Sequence, residues 1–149
     1  MKILKTYNQL FENFDKISVD NLMINFSDWD YIEKWLKKGG DINVKDRDGW
    51  TLLTLNTNNN NFFIVTDLLE LGADPNIPNG NGNTALILAR DIDMIKFLID
   101  NDADWNMINN NGKDFVDLLN NDEKEIIKKE YPEKYQEYLK KKQMIKFNI

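Results

Sequence analysis

Two short segments carry residue types that could bind a cation or a phosphate. Asp46-Arg47-Asp48-Gly49 places carboxylates beside a glycine, as calcium-binding loops do. Such a loop needs glycine at its sixth position and glutamate at its twelfth, but counted from Asp46 the glycine is fourth and Thr57 is twelfth. The segment 76–83 contains two glycines but lacks the strand, glycine loop and lysine of a phosphate site. We therefore predict no metal site and no cofactor.

Catalytic chemistry is also limited by composition, because the 149-residue chain has no His and no Cys. This excludes the commonest general base, the commonest metal ligand and cysteine nucleophiles. Carboxylate pairs remain, such as Asp28/Asp30 and Asp91/Asp93. Each pair precedes a predicted helix, where acidic side chains stabilise the N-terminus, and that structural role outranks acid–base catalysis. We predict no catalytic residue and no enzymatic activity.

Net charge and hydrophobic patterning narrow the partners and the compartment. The chain has 25 acidic and 19 basic residues, a net charge of −6, which argues against general nucleic-acid binding. The start has no uninterrupted apolar stretch, and no window approaches the roughly 18 apolar residues of a membrane span. With no Cys, these features predict a cytoplasmic, intracellular protein. Abundant Asn, Ile and Lys indicate an AT-rich genome, such as that of a bacterium, protist, phage or large DNA virus.

Three sequence patterns recur in register along the chain. A Gly-Ala-Asp-like element lies at 39–43, 72–76 and 102–106, with spacings of 33 and then 30 residues. A second element, Asp48-Gly49-Trp50-Thr51 in its first copy, recurs at 81–84 and 111–114 with the same two spacings. An apolar helical pattern precedes each Gly-Ala-Asp-like element, at 32–36, 65–69 and 95–99. Patterns that share one register indicate an internal repeat far more specifically than any single motif.

Each repeat can be built from two short antiparallel helices and a protruding turn. Thr51, Thr84 and Asp114 are placed to cap the inner helices through side-chain oxygens. The outer helices are predicted at 62–71 and 92–100, where apolar residues recur at helical spacing.

Glycines mark the ends of these elements. Gly72 is predicted to end an outer helix in the left-handed conformation, a role taken by Asn101-Asp102 in the next copy. Glycine recurs in each protruding turn, at 49, 82 and 112, where a positive φ is needed. Asn60 stands between helices and tolerates the same conformation.

These residues resemble the ankyrin repeat. The segment 43–53 is similar to the loop and inner-helix start of that family, and 72–76 is similar to its helix-to-loop exit. The resemblance implies an all-α solenoid of helix-turn-helix units with short β-hairpin-like turns and capping helices at both ends. The predicted repeat region is 18–131, divided into units 18–45, 46–78, 79–108 and 109–131. The Thr-Pro-Leu-His motif of the family has lost its Pro and its His at 51–54, 84–87 and 114–117, which predicts a less rigid stack.

The two ends do not match the repeat. Residues 1–17 have apolar residues at helical spacing and are predicted to form an N-terminal capping helix. Alternatively, 5–12 faintly resembles the capsid-targeting segment of internal head proteins in tailed phages. Residues 132–149 are predicted to form a C-terminal helix starting at Pro132, with a frayed tail from Met144. Alternatively, Lys140–Lys142 contacts anionic lipid or nucleic acid.

The resemblance further implies a non-catalytic protein-protein interaction module. A protein partner of unknown identity would bind the concave face made by turns and inner helices, with no nucleic acid, membrane or small-molecule substrate. The alternative is a viral or phage protein, virion-associated or antagonising a host factor, on the same scaffold. The predicted partner-binding residues are Lys45, Arg47, Asp48, Trp50, Asn58, Asn59, Asn81, Asn83, Arg90, Ile108, Asn110 and Lys113.

Individual side chains carry further predictions. Trp50 is either an exposed binding anchor or lies on its own neighbours. Trp29 and Trp35 are predicted in the core, and Trp105 half-buried. A third possible function is that of a modification substrate, since Asn43 and Asn76 resemble sites of asparaginyl hydroxylases.

Overall fold

The computed structural model describes residues 18–147, and the predicted N-terminal capping helix and targeting tag lie outside them. The described part is helical and contains no strand. Its helices are α1 Val19–Ile24, α2 Trp29–Lys37, α3 Leu52–Asn58, α4 Phe62–Glu70, α5 Ala85–Leu88, α6 Ile92–Asp100, α7 Phe115–Leu118, α8 Asn121–Glu130 and α9 Pro132–Phe147. None of these helices is both long and apolar enough to cross a membrane.

The first eight helices alternate between an inner and an outer layer. The inner helices α3, α5 and α7 pack on one another in chain order, and each is followed by its outer helix. The buried apolar side chains form one core that runs from Leu22 in α1 to Tyr138 in α9. The prediction of an all-α, repeat-built solenoid is therefore confirmed.

The inner helices begin where the sequence predicted. The backbone N–H of the third helical residue donates to the capping side chain at Thr51 (3.1 Å), Thr84 (3.5 Å) and Asp114 (2.9 Å). Thr54 stands where the family has His, and its hydroxyl donates back to the Thr51 carbonyl oxygen at 3.1 Å. Because Thr54 is buried, this capping pair is shielded from water.

The ends of the outer helices agree with the predictions to within one residue. The α4 helix ends at Glu70, before the predicted residue 71, and α6 has the predicted bounds. Gly72 and Asp102 follow with φ of 89° and 62°, in the left-handed conformation that ends a helix. Asn60 likewise has a φ of 55°, as expected from its place between α3 and α4.

The inner helices become shorter along the stack. The α3 helix has 7 residues, whereas α5 and α7 have 4 each. Both short helices stop because the next residue, Ala89 or Leu119, turns to an extended backbone with ψ of 134° or 144°. The change from a 33-residue to a 30-residue spacing therefore removes one turn of inner helix and leaves room on the inner face.

The C-terminal helices cover the last unit and bury Trp105. Its indole is 5% exposed and contacts the rings of Phe115, Tyr131 and Tyr138 at centroid distances of 5.1, 6.0 and 6.4 Å. The prediction that Trp105 is half-buried was wrong, because Tyr131, which directly follows α8, and Tyr138 of α9 pack against the indole. The predicted fraying from Met144 was also wrong as far as Phe147, where α9 ends.

The two tryptophans of α2 lie at the edge of the core rather than inside it. Trp29 and Trp35 are half-buried and pack against the core, so the prediction that they lie in the core holds only in part. The Trp35 indole covers Gly40, where an added Cβ would overlap the ring, and its Nε1 donates to the Asp41 carbonyl oxygen at 3.2 Å. This polar atom holds the ring near the surface.

Candidate functional site

Three protruding turns lie in a row along one edge of the stack. We call them turn 1 (46–50), turn 2 (79–83) and turn 3 (109–113). In each turn the backbone N–H of the first residue donates to the carbonyl oxygen of the fifth at 2.9 Å: Asp46 to Trp50, Asn79 to Asn83 and Asn109 to Lys113. The three segments thus share one backbone shape.

A side chain inside each turn maintains that shape. The Oδ1 atoms of Asp46, Asn79 and Asn109 each accept two backbone N–H groups, from the second and the fourth residue further on. All six distances lie between 2.8 and 3.1 Å. Sequence reasoning missed these residues, although an Asp or Asn in the first position of every turn was a visible signal.

Neighbouring turns are tied to each other by their backbones. Gly80 N–H donates to the Asp48 carbonyl oxygen at 2.8 Å, and Asn110 N–H donates to the Asn81 carbonyl oxygen at 3.0 Å. Between turns 2 and 3, Asn109 Nδ2 also donates to Asn83 Oδ1 at 2.8 Å. These bonds fix the spacing of the three tips, and the lower rigidity predicted from the missing histidine stays a prediction.

The side-chain hydrogen bond that joins turns 2 and 3 has no counterpart between turns 1 and 2 among the described residues. Asn79 is 4% exposed, and its Nδ2 has no hydrogen-bond partner among the described residues. Its Oδ1 is bound as in Asn109, and residue 50 stands in the repeat register where Asn83 stands relative to Asn109. That residue is Trp50, whose indole offers no acceptor. The tryptophan is half-buried, which lies between the two exposures predicted for it, and its role as a binding anchor stays a prediction.

A second set of polar bonds joins the loops on the other side of each turn. Asn43 Oδ1 accepts from Asp74 N–H at 2.9 Å, and Asn76 Oδ1 accepts from Asp104 N–H at 2.7 Å. Asn76 Nδ2 also donates to the Asp102 carbonyl oxygen at 3.1 Å. The two asparagines considered as modification sites therefore connect successive units.

The predicted binding residues fall into two groups by exposure. Nine are exposed: Lys45, Arg47, Asp48, Asn59, Asn81, Arg90, Ile108, Asn110 and Lys113. Three are half-buried: Trp50, Asn58 and Asn83. Some of the exposed ones also have structural bonds, since Lys45 Nζ donates to the Pro78 carbonyl oxygen at 3.0 Å and Asn110 Nδ2 to that of Gly80 at 3.1 Å. Arg47 lies 3.5 Å from Asp20 with its side chain 88% exposed, so its guanidinium remains accessible.

Two of the predicted residues line a groove of about 370 Å³ on the inner face. Asn83 and Arg90 stand beside Leu118 and Glu123, where the short helices α5 and α7 leave space. Leu118 is 54% exposed, and Glu123 accepts from Asn120 N–H at 2.9 Å. Arg90 has no ion pair with residues 18–147. The groove thus combines an available cation with an exposed apolar side chain. Sequence reasoning missed Leu118 and Glu123, because the groove depends on the early ends of α5 and α7.

A partly buried polar cluster closes the C-terminal end of the row. Lys142 Nζ lies 2.9 Å from Asp114 Oδ2, 2.6 Å from Asp117 Oδ1 and 2.6 Å from the Tyr138 hydroxyl, which itself donates to Asp114 Oδ2 at 3.0 Å. Burial raises the pKa of Tyr138 to about 12. Burial lowers the pKa of Lys142, but the bonds to Asp117, Tyr138 and Asp114 outweigh it, so the pKa is raised. This ionic cluster joins α9 to the cap of α7.

Acidic side chains are numerous in the loops, but they do not converge. Residues 18–147 contain no cluster of carboxylates arranged to hold a metal ion.

Comparisons with known proteins agree with this geometry. A family model described as ankyrin repeats matches residues 22–109 in three copies. A segment of 46 residues is 44% identical to part of the human mitochondrial disaggregase. The matched segment makes up 31% of this chain and 6% of that protein. The match therefore concerns a small part of a much longer protein. Since the repeat model covers more than half of the chain, the protein belongs to the ankyrin repeat family.

Proposed function

We propose that the chain is a non-catalytic module that binds a partner protein on the face formed by the three turns and the inner helices. Ankyrin repeats are generally protein–protein interaction modules and are typically non-catalytic. The observation that carries the proposal is the row of turn tips, which hydrogen bonds hold at fixed spacing while their outer side chains stay exposed.

Fixed spacing favours binding because a preorganised surface loses little conformational entropy on association. Each tip in this chain is held from inside by Asp46, Asn79 or Asn109, so the outward side chains are free to contact a partner. A partner therefore meets a rigid backbone that presents variable side chains.

The chemistry of the surface suggests which groups would contribute most. Trp50 supplies a half-buried indole, and the neighbouring Arg47 supplies an accessible guanidinium that can bind a carboxylate through two bonds. In the groove, Arg90 can pair with a second partner carboxylate while Leu118 contacts an apolar group. A partner segment that carries acidic and apolar residues fits these features.

The test is affinity capture from native lysate with wild type, a concave-face variant and a convex-face control. The variant is Arg47→Ala/Arg90→Ala/Lys113→Ala, and all three side chains are exposed, so folding should be unchanged. The control replaces Lys37 and Glu70 by Ala, both exposed on outer helices. We expect a protein retained by wild type and the control and lost by the variant. Equal retention by all three would place the interface elsewhere and refute the proposal.

The alternative function, a viral or phage protein, rests on composition and would use the same surface. In that case the captured partner would be a host factor or a virion protein. A cytoplasmic location, the four unit boundaries and the absence of nucleic-acid, membrane and small-molecule ligands remain predictions. Fractionation of native cells and binding assays with nucleic acid and vesicles would test them.

A further inference from the structure

The turns contain a reactive dipeptide that protein binding does not explain. Asn-Gly occurs three times, at 79–80, 81–82 and 111–112. In such a pair the backbone nitrogen of glycine attacks Cγ of the asparagine side chain and ammonia leaves. Water then opens the cyclic imide at either carbonyl, which yields aspartate or isoaspartate. The balance is one water consumed and one ammonia released, without oxidation or reduction.

Hydrogen bonds and burial restrain the three Asn-Gly pairs to very different degrees. Asn79 is 4% exposed, its Oδ1 accepts two N–H groups, and the N–H of Gly80, which would be the nucleophile, donates to the Asp48 carbonyl oxygen at 2.8 Å. Reaching the reactive geometry at this pair requires breaking several hydrogen bonds and exposing a buried amide. We expect it to be inert while the protein is folded.

The other two pairs are matched except for their place in the stack. Asn81 and Asn111 are both exposed, and in both turns the glycine N–H donates within its own turn, to Asn79 or Asn109, at 2.9 and 2.8 Å. The Asn81 carbonyl oxygen, however, accepts from Asn110 N–H at 3.0 Å.

The space around Gly82 is also more crowded than the space around Gly112. A Cβ added to Gly82 would lie within 3.0 Å of Asn109 and Asn110, whereas none of the described atoms lies within 4 Å of the corresponding point on Gly112. Within residues 18–147, turn 3 is the last turn of the row, and no following turn in that range holds Asn111.

We propose that Asn111 is a site of spontaneous deamidation in the folded protein and that stacking of turn 3 on turn 2 protects Asn81. One additional hydrogen bond to break lowers the reactive population of Asn81 roughly fivefold relative to Asn111. The product places a new carboxylate between Asn110 and Lys113, on the surface assigned above to partner binding. The proposal does not depend on that assignment.

The experiment is a time course of the folded full-length chain at neutral pH and physiological temperature. Deamidation converts an asparagine amide to a carboxylic acid and so increases the mass of the peptide. Peptide mass mapping with fragmentation then shows which residue has changed. Asn111 should react about fivefold faster than Asn81, and Asn79 should stay unreacted. In urea, where the stack is absent, all three should react at similar rates. Equal rates at Asn81 and Asn111 in the folded chain would overturn the proposal.

A variant tests the protecting contact directly. Asn110→Pro removes the N–H that binds the Asn81 carbonyl oxygen, together with the side-chain bond to the Gly80 carbonyl oxygen, and proline suits the second position of this turn. It should accelerate deamidation of Asn81 about fivefold or more and leave Asn111 unchanged. Asn111→Gln retains an amide but lengthens the side chain, so it should abolish the reaction in turn 3. Slow deamidation of Asn81 in a folded Asn110→Pro protein would contradict the mechanism.

Discussion

Replacing Lys142 by Met should destabilise the protein far more than the same change at its neighbour Lys141. Lys142 Nζ contacts Asp114, Asp117 and Tyr138 at 2.9, 2.6 and 2.6 Å. Asp114 has a side chain only 6% exposed, so its carboxylate loses a cation that water cannot fully replace. Methionine preserves most of the apolar stem, which isolates the effect of the charge.

The magnitude follows from the contacts that are lost and those that remain. Hydrogen bonds to charged groups contribute about 1.5–3 kcal/mol each when shielded, but Lys142 is 43% exposed, which screens its pairs. Asp114 also keeps the Tyr138 hydroxyl and the Asp117 N–H. We therefore expect a loss of about 2 kcal/mol in the free energy of unfolding. Lys141 makes an exposed pair with Glu137 at 3.0 Å, and its replacement should cost below about 0.5 kcal/mol.

Urea unfolding of the two variants measures this difference. A loss of about 2 kcal/mol should lower the midpoint by about 1 M at unchanged slope. Acid provides a second measurement, because burial raises the pKa of Asp117 but the Lys142 bond lowers it below its ordinary value of 3.8 overall. The contribution of this pair is therefore present above pH 3.8 and is lost as the pH falls through the folded-state value. Equal midpoints for the Met variants at Lys142 and Lys141 at neutral pH would refute the reasoning.

Three further predictions follow from individual contacts. Gly49→Ala should lower the free energy of unfolding by about 2–3 kcal/mol, because at a φ of 80° the new Cβ would lie 2.7 Å from Gly80 N. Gly112→Ala should lower it by about 1 kcal/mol, because its φ is 69° but the space around it is open. Equal decreases in the urea midpoint of the two variants would contradict this. Burial raises the pKa of Tyr131 and Tyr138 to about 12, so stability present below pH 10 should be lost as the pH rises to about 12, and absorbance of phenolate should show both groups titrating late. Asn76→Ala removes bonds to Asp104 N–H and the Asp102 carbonyl oxygen and should cost about 1–2 kcal/mol; an unchanged midpoint would show that these loop bonds do not stabilise the stack.

Much of the fold could be predicted because its determinants are local. The caps at Thr51, Thr84 and Asp114 bond to residues three positions away, so the sequence itself places donor and acceptor together. The burial of Trp105 could not be predicted in the same way. It depends on Tyr138, 33 residues later, and no periodic pattern connects an end helix to the repeat it covers.

The candidate site was predictable in position but not in its internal bonding. Repeat register was sufficient to place the turn tips, and the structure places Asn83 and Arg90 along one groove. The groove itself exists because Ala89 and Leu119 have an extended backbone and end their helices early. The shorter repeat spacing indicates that a helical turn is missing, but it does not show that a groove results.

A side-chain hydrogen bond joins turns 2 and 3, but the described residues contain no such bond between turns 1 and 2. This difference gives a physical reason to propose Trp50 as a binding residue. Asn83 accepts from the Asn109 amide, while the equivalent Asn79 amide is buried without a partner among the described residues, and the residue in register with Asn83 there is Trp50. An unpaired buried amide costs about 1–3 kcal/mol, and a polar residue at position 50 would avoid that cost. Folding alone therefore does not favour tryptophan there, and departures from local stability are expected mainly at functional sites. Trp50, rather than the exposed asparagines of turn 2, is therefore the principal contact that we propose for the partner surface.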